Sequence, residues 1–422
     1  MFTIEVFQNA FLPAGNGRVD AIVTVCAAAN ASAAAGDAVE GLVLDVSGSM
    51  KGHSIDRLKH AARRAIHFLD SSIYFFVVVF EDSGRVVFEL APATPENKAA
   101  AERSIQGLEA DGSTRMSAGL AMARQQFQKK PGARGHVLFL TDGKNNDDDR
   151  TMLSDELAQC ENLFQADCRG VGTDWEPAQL SRIANKLLGT AQIIPEASGM
   201  ERDFKEAMQR ALSRSVANVR LRLATPKTGK VKLVFIKQMN PAILDLTGRE
   251  TRIDANTMDF PTGAWSAGES RDFHLAFELP AGALGDEMLV CRPGIVHGQN
   301  DTTVKGNPIL ATWIESTDER SAIINPQVAH YTNQDKLAED IREGLAARAR
   351  GDFDAATALL GRAAQTAEQS GNMQATSRLR EVVTMNEDGT VNLRANVHKA
   401  KLMDLDLGSI VTARAPKNQQ GK

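Results

Sequence analysis

No Cys-x-x-C pair occurs in the sequence, whose four cysteines, Cys26, Cys160, Cys168 and Cys291, are scattered. Zinc knuckles and disulfide frameworks need closer, paired spacings, so four reduced structural cysteines are expected. No apolar run reaches the 18 or more residues that a bilayer-spanning helix requires. The first residues, Met-Phe-Thr-Ile-Glu-Val-Phe-Gln, carry neither a basic n-region nor a small-residue cleavage site. A cytoplasmic protein without a membrane partner is therefore expected. Basic excess is missing too: 48 Lys and Arg face 53 Asp and Glu, a formal charge of −5, with no stripe for a phosphate backbone. That balance argues against nucleic acid as a partner.

What is present is the composition of a folded chain, 43% hydrophobic and 24% charged. At 422 residues it exceeds one ordinary hydrophobic core, so roughly two to four domains are expected. Only the polar end, 416–422, reads as a disordered tail.

Two alternating runs open the chain, Thr3-Ile-Glu-Val-Phe and Val19-Asp-Ala-Ile-Val-Thr-Val, separated by Pro13-Ala-Gly-Asn-Gly. Period-two patterning around a Gly/Asn turn predicts antiparallel strands. A bland linker, 30–36, follows. From Glu40 to about Arg214, apolar strands (41–45, 73–80, 85–90, 137–140, 192–194) alternate with helical segments (55–69, 97–108, 116–128, 152–164, 177–188, 201–212). Near-continuous apolar strands between amphipathic helices imply a parallel sheet covered on both faces, which binds ligands at the carboxyl ends of its strands. After Ala217 short strands return (219–223, 231–236, 271–279, 287–291, 310–313), punctuated by Pro, Gly and Asp/Asn, a pattern that predicts a β-sandwich. Two strands alone are marginal, so residues 3–27 are assigned to that sandwich. Helical spacing resumes at Leu337, Ile341 and Leu345 and again from Phe353 to Ala367, with Gly351-Asp352 as the turn; a third helix runs to Val383, and 389–397 and 409–413 read as returning strands. The expected architecture is multidomain: N-terminal sandwich strands (1–36), an inserted α/β Rossmann-like domain (37–214), the β-sandwich (215–331), a helical hairpin or three-helix domain (332–385) and C-terminal strands (386–415).

Chemistry concentrates in three oxygen-rich loops. Asp45-Val-Ser47-Gly-Ser49 follows a buried strand and precedes a helix; Asp111-Gly-Ser-Thr114 opens another helix; Thr141-Asp142-Gly143 directly follows the strand 137–140. Carboxylates and hydroxyls are hard donors that suit the near-octahedral, oxygen-only ligation of Mg²⁺, or else Mn²⁺ or Ca²⁺, whereas sulfur and imidazole, which would favour zinc, are absent from these loops. Taken alone, Asp-Val-Ser-Gly-Ser could equally be a turn and helix cap. Gly170-Val-Gly-Thr-Asp-Trp175 lacks the third glycine of a dinucleotide loop and reads as a strand-to-helix turn. Asp142-Gly-Lys144 lacks the upstream glycine of a P-loop, and Lys144 with Asp147 to Asp149 reads as a solvated loop bordering the metal face.

Asp-x-Ser-x-Ser at 45–49, Thr114 in Gly-Ser-Thr, and Asp142 in Leu-Thr-Asp-Gly resemble the metal-ion-dependent adhesion site of von Willebrand factor A (VWA) domains, over residues 38 to about 214. The resemblance implies that Ser47, Ser49 and Thr114 touch the metal and that Asp45 and Asp142 neutralise charge, often through water. Val6-Phe-Gln-Asn, Ile324-Asn-Pro-Gln-Val-Ala-His-Tyr331 and the alanine-rich helices around Arg350-Gly-Asp-Phe are similar to cytosolic bacterial VWA proteins associated with kinases, phosphatases and stress or tellurite-resistance modules. The implied function is non-enzymatic: a scaffold whose bound Mg²⁺ captures an Asp or Glu of a protein partner. An adaptor of a MoxR- or chelatase-type AAA+ ATPase is the alternative. A metal-dependent hydrolase would need a general base, and His53 is the single histidine near the motif. Arg350-Gly-Asp-Phe-Asp-Ala-Ala resembles one tetratricopeptide helix, but a single copy makes no array.

Overall fold

The computed structural model describes residues 2–30, 37–298, 300–385 and 391–416. Most of the 30–36 linker, the segment 386–390 and the tail beyond Pro416 lie outside the described residues. The chain divides into two units, one of residues 33–215 and one that joins 1–32 to 216–422.

The chain starts with β1 (Phe2–Gln8), β2 (Phe11–Pro13) and β3 (Arg18–Ala27). β1 pairs antiparallel with β3, Phe2 opposite Ala27 and Gln8 opposite Ala21.

In the 33–215 unit, β4 (Ala38–Asp45), β5 (Ile73–Phe80), β6 (Gly84–Pro92), β7 (Arg134–Thr141), β8 (Gln165–Val171) and β9 (Ala191–Ile194) form one sheet in the order β6-β5-β4-β7-β8-β9. All neighbours are parallel except β5 and β6. Helices α1 (His53–His67), α2 (Pro95–Gln106), α3 (Met116–Gln128), α4 (Arg150–Cys160), α5 (Pro177–Lys186) and α6 (Met200–Ser213) alternate with the strands. Every residue of β4 is buried, as a central strand covered on both faces requires. On one face Leu42 and Leu44 meet Leu58, Ala62, Ala65 and Ile66 of α1 and Phe204, Ala207 and Met208 of α6. From β4 the chain moves to β5 on one side and later returns to β7 on the other, so strand order reverses between β4 and β7. A crevice for a ligand opens at such a reversal, beyond the carboxyl ends of the strands. Strand β8 escaped the sequence reading because Gln165, Asp167 and Arg169 interrupt its apolar pattern; all three are nonetheless buried, with Asp167 and Arg169 paired to His136 and Asp203.

In the second unit β10 (Arg214–Ala224), β11 (Lys232–Asn240), β12 (Leu244–Asp245), β13 (Thr251–Arg252), β14 (Thr257–Ser266), β15 (Ser270–Glu278), β16 (Glu287–His297), β17 (Thr302–Lys305) and β18 (Ile309–Ile314) complete two sheets. One runs β1-β3-β15-β11-β12; the other runs β13-β14-β10-β16-β18-β2, with β17 beside β16. Phe2 of the first sheet meets Trp265 of the second edge-on at 5.6 Å between centroids, and Arg271 lies 4.3 Å over the same indole.

The helical part begins earlier than the sequence suggests, with α7 (Pro326–Ala349), followed by α8 (Phe353–Gln369) and α9 (Met373–Val382). Asp352 caps α8 by accepting from the Ala355 amide at 3.1 Å. The expected C-terminal strands are corrected. Among the described residues of this stretch, strand pairing is limited to β19 (Val383–Met385) with β20 (Val391–Leu393) and a bridge from Val411 to Ala242, and α10 (Lys399–Gly408) lies between β20 and that bridge. Met403, Leu405 and Leu407 mimic a period-two strand, but Leu405 packs into the helical core with Leu379 and Leu360, and the His398 side chain caps the helix start. All four cysteines are free, and burial pushes the thiols of Cys160, Cys168 and Cys291 upward, which keeps them inert.

Candidate metal centre

β4 delivers Asp45, fully buried, to the crevice beside β7. One Asp45 oxygen accepts from the Ser47 amide at 2.8 Å and the other from Thr141 Oγ1, on the last residue of β7, at 2.5 Å. The loop that follows turns tightly through Gly48–Met50 before α1. Its backbone is stitched to the loop ahead of α3: the Gly48 amide donates to the Gly112 carbonyl at 2.9 Å, and the Asp111 amide to the Val46 carbonyl at 2.9 Å. Gly112 sits at φ 74°, a conformation that favours glycine, and a side chain there would also meet Asp82.

The side chains converge accordingly. Ser47 Oγ lies 3.0 Å from Ser49 Oγ, and Ser49 Oγ donates to Asp142 Oδ1 at 2.5 Å. Thr114 approaches from the third side, where a Cβ on Gly143 would stand 2.9 Å from Thr114 Oγ1 and 3.3 Å from Ser49 Oγ. All five residues singled out in the sequence therefore meet at one place. They form two carboxylates and three hydroxyls, a set of hard oxygens that could hold a divalent cation. No group of three or more His, Cys, Asp or Glu side chains is placed to hold a metal among the described residues, so hydroxyls must complete any such site.

The electrostatics fit a cation. Burial pushes the Asp45 carboxyl up to about 6 against the pull of its hydrogen bonds from Ser47 and Thr141, and the Asp142 charge pushes the same way. Asp142 is raised by burial and by Asp174. Neither carboxylate has an ion-pair partner among the described residues. A divalent cation would supply the missing positive charge and favour both ionised forms.

Two residues named in the sequence without a role in the site prove to support it. Thr141 orients Asp45, and Asp149 is corrected from solvated to fully buried, accepting from the Ser117 amide at 2.9 Å and from the Ser117 hydroxyl. An acidic run reads as solvated unless a partner for one member is known, and that partner lies 32 residues away. Lys144 remains exposed, 3.7 Å from Glu176, and His53 is an exposed first residue of α1.

Asp45, Ser47, Ser49, Thr114 and Asp142 all fall within a stretch that resembles known proteins. Residues 41–193 match the family described as von Willebrand factor type A domain, and residues 365–409 match the von Willebrand factor type A C-terminal domain. A solved structure, von Willebrand factor type A from Catenulispora acidiphila, is 38% identical, covers 98% of this chain and 97% of its own, and superposes with a TM-score of 0.91. The chain belongs to the von Willebrand factor type A family. The ArnB paralog VWA2 from Sulfolobus acidocaldarius, 14% identical, shares the fold across 97% of this chain and 98% of its own at a TM-score of 0.60. An uncharacterized protein of Synechocystis is 30% identical over 210 residues, 49% of this chain and 49% of its own length. The match thus spans about half of that relative. Domains of this family commonly mediate protein–protein interaction and are generally non-catalytic. No helix among the described residues is long and apolar enough to cross a membrane.

Proposed function

We propose that this protein is a non-enzymatic, metal-dependent binding module. Ser47, Ser49 and Thr114 hold a Mg²⁺ ion, Asp45 and Asp142 neutralise it, and an aspartate or glutamate of a protein partner completes its ligation. The observation that carries this reading is the convergence of three hydroxyls and two carboxylates at the strand-order reversal, with Ser49 Oγ 2.5 Å from Asp142 Oδ1 and both carboxyls raised by burial. When bound, the ion supplies a hard positive centre for an anionic oxygen. The protein's own groups orient the donors: the Ser47 amide and Thr141 Oγ1 each donate to one oxygen of Asp45 and fix its carboxylate in the crevice. In this reading residues 37–214 form a binding domain inserted in a two-sheet sandwich, whose continuity across β1, β3 and β15 supports the arrangement.

Calorimetry and thermal melts with Mg²⁺ or Mn²⁺ test it. A ligand at 100 times its dissociation constant adds about 2.7 kcal/mol to the folded state. Asp142→Ala should abolish that gain, and Ser47→Ala and Thr114→Ala should reduce it without changing charge. A wild-type protein that takes up neither ion, or an Asp142→Ala variant that responds like wild type, refutes the assignment. Partner capture should be lost in EDTA and on changing the partner's acidic contact to Ala, at a cost of about 2 kcal/mol or more if that residue is a buried anchor.

A further inference from the structure

Helix α3 starts two residues after Thr114, yet it lacks a side-chain cap of its own: Arg115, just before its first residue, is extended, φ −121° and ψ 92°, and its side chain caps nothing. The first amides of a helix need acceptors, and here they find them far away in sequence. The Arg115 amide donates to the Glu81 carbonyl at 2.9 Å, the Met116 amide to Asn145 Oδ1 at 2.8 Å and the Ser117 amide to Asp149 Oδ2 at 2.9 Å. Ser117 Oγ donates to the other oxygen of Asp149. Between these, the Asn146 amide donates to the Thr114 carbonyl at 2.9 Å, and Asn146 Nδ2 to Ser113 Oγ at 2.7 Å. Residues 145–149 follow directly on the loop that carries Asp142, so one turn both continues that loop and grips Thr114 from either side.

We propose that Asn145 and Asp149 are positioning residues for cation binding: by capping α3 they lock the loop bearing Thr114 to the loop bearing Asp142, so that hydroxyl and carboxylate are presented together. Two features favour this over plain stabilisation of the helix. Both side chains are buried, and Asp149 places a negative charge at the helix N-terminus, where the macrodipole strengthens its bonds. The grip is also centred on Thr114, whose carbonyl is held by Asn146 while its neighbours on both sides are held by Asn146, Asn145 and Asp149. Removing the cap frees the Thr114 hydroxyl to drift from Asp142 although no direct ligand has changed.

This inference rests on the metal reading of the site, and the experiment separates the two. Full-length protein, Asn145→Ala, Asp149→Asn and Ser117→Ala are titrated with Mg²⁺ by calorimetry, well below the melting temperature of every variant. Asn145→Ala and Asp149→Asn should bind Mg²⁺ about tenfold or more weakly, the size of effect that groups supporting metal ligands exert. Ser117→Ala removes a hydroxyl and leaves the capped amide, so its affinity should stay close to wild type. A purely structural role would lower the melting temperature and leave affinity at the titration temperature unchanged; wild-type affinity in both capping variants overturns the proposal. Should Asp149→Asn fail to fold, Asn145→Ala, which loses one hydrogen bond, decides alone. If wild type itself takes up no Mg²⁺, the metal reading falls and the positioning role with it; if wild type binds and the capping variants bind equally well, only the positioning role falls.

Discussion

Replacing Gly143 by alanine adds one methyl group at the tightest point of the site. That Cβ would stand 2.9 Å from Thr114 Oγ1 and 3.3 Å from Ser49 Oγ, where ordinary contacts begin at 3.4 Å, so Thr114 must give by about 0.5 Å and Ser49 by about 0.1 Å. Gly143 is not among the glycines at positive φ, so alanine fits the backbone and gains about 0.4–1 kcal/mol through the unfolded chain. Overpacking costs about 1–3 kcal/mol, and the metal-free protein should be only modestly less stable. Metal binding should suffer more, because Mg²⁺ ligands sit at about 2.0–2.1 Å in a nearly fixed geometry. A tenfold to hundredfold loss of affinity corresponds to about 1.4–2.7 kcal/mol. At a Mg²⁺ concentration 100 times the wild-type dissociation constant, stabilisation should fall from about 2.7 to between about 1.4 and 0.4 kcal/mol. Urea unfolding of both proteins with and without Mg²⁺ measures these increments. Equal increments, with the variant fully folded, would show that Thr114 and Ser49 do not ligate the ion.

Three further outcomes follow from the packing. In Gly170→Ala the new methyl would overlap the buried Trp175 indole, which cannot swing away, so destabilisation of about 3 kcal/mol or more is expected in urea melts; a variant as stable as wild type would mean the indole is free to move. His136 is buried between Glu40 at 2.7 Å and Asp167 at 3.1 Å; burial lowers its affinity for a proton, but the two carboxylates outweigh that and hold it above the ordinary 6.5, while His136 and Arg214 hold Asp167 well below its usual range despite burial. The His136 contribution is therefore complete below pH 6.5 and fades as pH rises through the raised value, whereas that of Asp167 fades on acidification below its usual range, so between pH 6.5 and 9 wild type should lose stability more steeply than His136→Gln; parallel profiles would count against the charged triad. Deleting residues 2–27 removes β1, β2 and β3 and bares the edges of β15 and β18, which should cause aggregation by size-exclusion chromatography while residues 33–215 alone stay monomeric and folded; a soluble, monomeric deletion would refute the dependence.

Much of the site was legible because its signals are local. A buried strand ending in Asp-x-Ser-x-Ser, a Gly-Ser-Thr loop opening a helix and a strand ending in Thr-Asp-Gly each announce an oxygen-bearing loop through neighbouring residues alone. The same holds for β4, β5 and β7, whose apolar runs have no competing period, and for the α7–α8 turn at Gly351-Asp352. Strand β8 and helix α10 were not legible for the converse reason. Asp167 and Arg169 look exposed until His136 and Asp203 are brought beside them, and Met403, Leu405 and Leu407 alternate like a strand until α9 packs against them.

Which atoms the centre offers, three hydroxyls and two carboxylates, could be read from the residues alone, because donor chemistry belongs to the residue and loop position follows from local period. That these atoms meet, and how they are held, came from the packing of distant elements. Asp45 reaches Thr141 because β4 and β7 are neighbours at the point where strand order reverses, 96 residues apart in the chain. Asp149 is a buried cap and not a solvated charge because the N-terminus of α3 happens to face it. Such contacts depend on strand order and helix placement, which no local pattern encodes, and they decide whether a polar residue is surface, ligand or support.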